Sequence, residues 1–326
     1  MQPMQANEAF DQIGRDYERS GYESVRAVDA SEAPAWFYLA VLAFGHDDFA
    51  RAAECARRAV AADAANLLYR EASAYLARVA RDGKQSVYVT GEAFGAFIRG
   101  GGNVPLYRNT SAALRAVYDE YVGATLLDIG VGDGLALLAA LSDAIRSVTL
   151  VEPSAAMLSS TIGALAARGV PAEAVHGTLQ EFVRSERGRW DVAEATFSLQ
   201  SIPPEERPAL LRWLRAHAGR VLIAEFDPPA YTTMYAAEWV SHVMRRYEIG
   251  LAEYADDGGL VAQGFLMPVF FGYFDRSVAR TNYEIPIDEW VALLREAGFA
   301  RVEKRPIYEY WWATAWLVQG RSRESE

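Results

Sequence analysis

From residue 124 to residue 226 the chain alternates short apolar runs with amphipathic stretches, and few folds tolerate that texture. The runs are Thr125–Ile129, Ser147–Val151, Ala172–His176, Trp190–Thr196 and Arg220–Phe226. Between them, Leu135–Leu141, Ser154–Arg168, Leu179–Ser185 and Pro204–His217 carry helical spacing. Apolar runs of strand length separated by helices predict a parallel sheet covered on both faces. The first run ends in Asp128-Ile129-Gly130-Val131-Gly132-Asp133-Gly134. A strand must stop there and turn sharply into a helix, and glycine permits both the positive φ and a ligand against bare backbone.

Bulk composition narrows the partners. The 326 residues suggest about two domains. A net charge of −11 repels a phosphate backbone, so nucleic acid is excluded as the expected partner. Cys55 is the only cysteine, which rules out a disulfide within the chain and a cysteine-rich metal site. His46, His176, His217 and His242 show no metal-ligand spacing, and no metal is expected. Residues 260–274 are apolar but broken by Gln263 and Pro268, short of a membrane helix of about 20 residues. No leader is visible at the start, so a cytoplasmic protein without membrane contact is expected.

Glu152 ends the second strand, where an acid can accept both hydroxyls of a ribose. A loop built for pyrophosphate gains nothing from Asp128 and Asp133, because carboxylates repel phosphate. That argues against a nicotinamide dehydrogenase and for a cationic ligand. Residues 126–226 resemble the class I S-adenosylmethionine (SAM)-dependent methyltransferases. The resemblance rests on Asp128, Gly130, Gly132 and Gly134, on Glu152, on Gly177-Thr178-Leu179, and on 191–202 and 220–226 as fourth and fifth strands. It implies a doubly wound, seven-stranded, mostly parallel α/β sheet whose reversed last strand comes from 299–305 and 312–319. It implies SAM as cofactor and S-adenosylhomocysteine (SAH) as product. The cofactor residues would be Asp128, Gly130, Gly132, Asp133, Gly134, Glu152, Pro153, Met157, Thr178, Leu179, Thr196 and Phe197, with Met157 packed on adenine. Tyr107 or Arg108, in a lid ahead of a helix at 112–121, would meet the carboxylate of SAM. Two positions depart from the family. Thr178 or Gln180 stands where an Asp usually reads the adenine amino group, and Gln200 stands where a His is frequent.

Residues 1–84 read as an N-terminal all-α domain. Trp36, Leu39, Gly45, Phe49, Ala59 and Asn66 fall at intervals that resemble a tetratricopeptide repeat. This region is expected to cap the second domain, or to serve as a docking or homodimer surface. Arg81-Asp82-Gly83-Lys84 reads as a linker, 85–122 as a helical lid, 123–320 as the SAM-binding domain and 321–326 as a disordered tail. Residues 228–285 form an insertion far longer than the ordinary connection of about 4–6 residues. Its aromatic content predicts an apolar pocket for a small-molecule substrate. His242, Glu225 and Tyr273 are the candidate catalytic residues, His242 being the preferred base. The expected function is small-molecule O-, N- or C-methylation. A layout similar to GRAS-type proteins, with Trp-rich residues 310–316, raises a non-catalytic binding role as an alternative. A protein methyltransferase docking its target through the repeat is another.

Overall fold

A computed structural model describes residues 8–84 and 90–322. The chain begins with α1 (Glu8–Ser20), α2 (Ala33–Gly45), α3 (Phe49–Ala62), α4 (Leu67–Asp82) and α5 (Gly91–Ile98). Then come α6 (Asn103–Tyr118), β1 (Ala124–Ile129), α7 (Leu135–Ala140), β2 (Ile145–Glu152), α8 (Ala155–Ala167), β3 (Ala172–His176) and α9 (Leu179–Ser185). After these run β4 (Trp190–Thr196), α10 (Arg207–His217), β5 (Ala218–Phe226), α11 (Ala237–Ala252) and α12 (Met267–Tyr273). The chain closes with α13 (Ile287–Glu296), β6 (Arg301–Glu309) and β7 (Thr314–Arg321). No helix among the described residues is long and apolar enough to cross a membrane.

Contacts divide the chain into two compact units. The helical unit takes Tyr231–Arg280 together with the residues up to Asn103. Its central element is α2, in which nearly every side chain is buried, as befits a helix that is apolar all round. Asp48 and Asn66 cap α3 and α4 by accepting the Arg51 and Tyr69 backbone N–H groups. The aromatic residues of α12 close this core. Phe270 packs on Phe37, and Phe271 packs on Phe44 and Tyr75. Lys84, read from sequence as linker, is anchored between Asp47 and Asp275 at 2.5 and 2.7 Å.

The sheet unit comprises Val104–Ala230 and the residues from Thr281. Its seven strands lie in the order β3-β2-β1-β4-β5-β7-β6, and β7 runs antiparallel to β5 and β6. Alternation along each strand supplies two cores. Leu126, Val148, Val192 and Leu222 meet α6, α7 and α8 on one face. Leu127, Ala193, Val221 and Ile223 meet α9, α10 and α13 on the other. The order reverses between β1 and β4, and ligands of open α/β sheets bind beyond the carboxyl ends of the strands at that reversal.

One expectation needs correction here. The lid ahead of a helix at 112–121 does not form, because α6 starts at Asn103, directly after the glycine run. Pro105 is tolerated in a first helical turn, where no intrahelical N–H bond is needed. Thr110, expected as a cap, instead donates its hydroxyl to the Leu106 carbonyl within the helix. Tyr107 and Arg108 are therefore helical. Arg321 ends β7, whereas the rest of the expected tail from 323, and the first five residues of the expected lid region, lie outside the described residues.

Candidate functional site

The loop after β1 is built by glycines with different duties. Gly130 has φ +72°, and a Cβ there would stand 2.5 Å from Cβ of Ser198. The Ser198 hydroxyl donates to the Ile129 carbonyl at 2.6 Å, which ties the end of β4 to the end of β1. Gly134, at φ +77°, starts α7. Gly132 has φ +57°, and a Cβ there would meet only the Met157 sulfur, 4.0 Å away. The outer glycines serve the packing, while the middle one leaves backbone open for a ligand.

Glu152, at the end of β2, faces the same loop. One carboxylate oxygen accepts the Gly132 N–H at 2.9 Å and the other accepts the Ser154 N–H at 2.8 Å. The carboxylate fixes the loop, and each oxygen retains a further lone pair. Ser154 caps α8 and so brings half-buried Met157 beside the loop. The Pro153 carbonyl is 3.0 Å from Nε2 of His176. Thr178 is consumed by a capping box, its hydroxyl and N–H both directed to Glu181. Its side chain thus serves the start of α9, and Gln180 donates to Glu206. The Leu179 side chain is buried in the core. Its N–H, at the first position of the helix, has no intrahelical partner.

Phe197 follows β4 with φ +52°, a conformation that is uncommon for a bulky residue and concentrates at functional sites. Its N–H donates to the Ala224 carbonyl at 2.8 Å. Its ring stacks on Phe226 at 4.6 Å, and Phe226 stacks on Tyr310 at 5.4 Å. Tyr107 meets Phe197 edge-on at 6.1 Å. Burial, with the nearby Asp133 carboxylate, pushes the Tyr107 hydroxyl up to about 12. Tyr107, Asp133 and Phe197 thus converge on one place, whereas Arg108 is exposed. The Thr196 hydroxyl is buried with no hydrogen-bond partner among the described residues.

Asp128 does not sit on the loop. It lies within β1, in register with Glu194 of β4, and only 4% of it is exposed. Tyr118 of α6 donates its hydroxyl to Glu194. Burial raises the affinity of both carboxyls for protons, and Glu194 raises that of Asp128 further by charge and hydrogen bonding. Glu194 and Tyr118 were missed in the sequence. The available signal was a carboxylate in the middle of an otherwise apolar strand.

Glu225 is buried near the end of β5 and accepts the Gln200 N–H at 3.1 Å. Burial, reinforced by Glu284, pushes it up to about 8 against the opposing pull of the Gln200 N–H and Arg207. Arg207 escaped the sequence reading. It is buried over the Trp290 ring and donates to the carbonyls of Ile202 and Tyr283, at 2.9 and 2.5 Å. Gln200 donates to the Phe197 carbonyl, while its own buried carbonyl oxygen has no partner among the described residues.

His242 and Tyr273 belong to the helical unit. Both pack against Trp239, with ring centroids at 5.4 and 6.1 Å, and the Tyr273 hydroxyl donates to that of Tyr231 at 2.8 Å. Burial and then Arg246 and Arg245 push His242 down to about 4. It is neutral at neutral pH and a weak proton acceptor.

A family model described as a methyltransferase domain matches residues 106–304, more than half of the chain. No curated protein matches. Among solved structures, a candidate O-methyltransferase from Nostoc punctiforme PCC 73102 is 15% identical with a TM-score of 0.45. That alignment covers 67% of this chain, which spans only 57% of the Nostoc protein. Magnesium protoporphyrin IX methyltransferase from Synechocystis PCC 6803, with bound SAH, is 15% identical over 71% of this chain and 93% of its own, with a TM-score of 0.46. Mitomycin 7-O-methyltransferase is 18% identical over 92% and 75%, with a TM-score of 0.43.

Proposed function

Because the chain belongs to the methyltransferase-domain family, we propose that it transfers the methyl group of SAM to a small-molecule acceptor. The observation that carries this reading is the bare Gly132 backbone, held open beside Glu152 at the reversal between β1 and β4. Its surroundings suit the donor. The spare lone pairs of Glu152 face the hydroxyls of a ribose. Pro153, Met157 and the Leu179 N–H offer an adenine both an apolar surface and a donor. Tyr107, Asp133 and Thr196 are left for the charged amino-acid end. When bound, SAM supplies an electrophilic methyl group on a sulfonium sulfur.

The residues of this chain contribute alignment more than proton transfer. Glu225 keeps its proton at neutral pH, and His242 binds one only in acid, so neither is a strong base there. Positioning of the reactants then accounts for most of the acceleration. Such a site favours acceptor atoms already unprotonated, or acidic enough to lose a proton unaided. The ring row Tyr107, Phe197, Phe226 and Tyr310 supports an apolar, aromatic acceptor.

Isothermal titration with SAM and with SAH tests this reading. Saturable binding of both is expected. No binding of either up to about 1 mM, weaker than about 4 kcal/mol, would overturn it.

A further inference from the structure

A line of acidic groups runs from the open loop into the core of the sheet unit. Glu152 holds the Gly132 N–H and acts electrostatically on Asp128. Asp128 stands beside Glu194 on the neighbouring strand, and Tyr118 closes the line from α6. Glu194 is 1% exposed. One of its oxygens accepts from Tyr118, and the other, Oε1, has no donor among the described residues. A buried carboxylate oxygen left without a donor is costly. A proton between the two carboxyls removes that cost and the repulsion of two adjacent charges. Tyr118 and Glu152 are the other titratable groups facing the pair.

We propose that Asp128 and Glu194 act as a charge-sensing pair that gives up a proton when a cationic donor occupies the loop above them. This rests on the reading of that loop as a SAM site. The sulfonium and ammonium of SAM outweigh its carboxylate, so it arrives with a net positive charge. The pair answers by releasing a proton to solvent, and the negative charge left behind faces the incoming cation. After methyl transfer the sulfur of SAH is neutral, and the pair takes its proton back. The site therefore distinguishes donor from product through buried charge as well as through contact with the methyl group.

Titration calorimetry of the full chain near neutral pH, in buffers of differing ionisation enthalpy, counts the protons exchanged per ligand bound. SAM is expected to release at least about 0.3 proton more than SAH, as a nearby charge shifts a carboxyl by 1–3 units. Part of that difference belongs to the amino groups of the ligands themselves. The decisive quantity is therefore the share lost in the Asp128→Asn, Glu194→Gln double variant, which has no proton to give. If the double variant fails to fold, Glu194→Gln alone keeps the acceptor for Tyr118 and is expected to lose part of the difference. An unchanged difference in a folded variant overturns the inference while leaving SAM binding intact. Failure of both ligands to bind the unaltered protein overturns the reading beneath it.

Discussion

Replacing Glu152 with Ala tests the loop architecture and the cofactor reading in one protein. In the folded chain its two oxygens accept backbone N–H groups of Gly132 and Ser154 at 2.9 and 2.8 Å, and the residue is 6% exposed. Hydrogen bonds to a charged group contribute about 1.5–3 kcal/mol each. Truncation leaves two donors in a space large enough for water, which recovers part of the loss. The lower end of that range applies, and a loss of about 3 kcal/mol in unfolding free energy is expected. Cofactor affinity falls separately, because the remaining lone pairs no longer receive ribose hydroxyls. Loss of one such charge-assisted bond weakens SAM at least about tenfold, or 1.4 kcal/mol. Urea unfolding reads the first quantity and titration calorimetry the second. Glu152→Gln keeps one acceptor oxygen and sets its amide nitrogen against the other N–H, so it falls between Ala and the unaltered protein on both. A stability change under about 0.5 kcal/mol refutes the pinning of the loop. A twofold or smaller change in affinity, together with the expected stability loss, refutes the ribose contact.

Gly132→Ala strains a residue at φ +57° by about 1 kcal/mol but meets little packing, so SAM affinity should fall by more than stability does. Gly130→Ala drives a Cβ against Ser198 and should do the reverse, and equal behaviour of the two would contradict the separate duties assigned to them. Glu225 binds its proton more tightly folded, at about 8, than unfolded, so its contribution is full below the ordinary carboxylate range and is lost as pH rises through 8. Glu225→Gln should therefore gain at least about 1 kcal/mol on the unaltered protein between about pH 4.5 and pH 8.5, and a pH-independent difference in denaturation counts against it. Lys84→Met leaves Asp275, whose side chain is 8% exposed, without its cation, at an expected cost of about 2–3 kcal/mol in thermal or urea unfolding.

The sheet was legible because its constraints are local. Each strand is an apolar run flanked by glycine or a cap, and the helices between them are short, so Leu179–Ser185 has the same bounds in sequence and structure. Glu152 was legible for the same reason, since position at a strand end defines its surroundings. Asp128 was not. Motif position puts it at the loop, yet alternation along β1 directs it to the α6 face, and only the register with β4 reveals Glu194 as its neighbour. Tyr118 is equally invisible, because nothing local announces which strand an aromatic residue on a preceding helix will reach. The start of α6 was misplaced because the capping signals at 109–111 outweighed Asn103 after a glycine run. The joining of residues 231–280 to the first helices depends on contacts such as Phe270 with Phe37, which are too remote in sequence for periodicity to detect.

That joining sets an order of events during synthesis. The ribosome delivers α1–α5 first, then all of β1–β5, and only afterwards the segment bearing Phe270 and Phe271 that completes the apolar interior of the first helices. Until then Phe37, Phe44 and Tyr75 remain without those rings. Domains usually mature from the amino terminus onward. Here the amino-terminal unit is the one that must wait, while the sheet itself awaits β6 and β7. A nascent chain paused before residue 231 would display an unfinished helical surface open to chaperones. By the same logic, trimming the chain before Lys84 removes half of a shared interior, leaving Phe270 and Phe271 stranded on what remains.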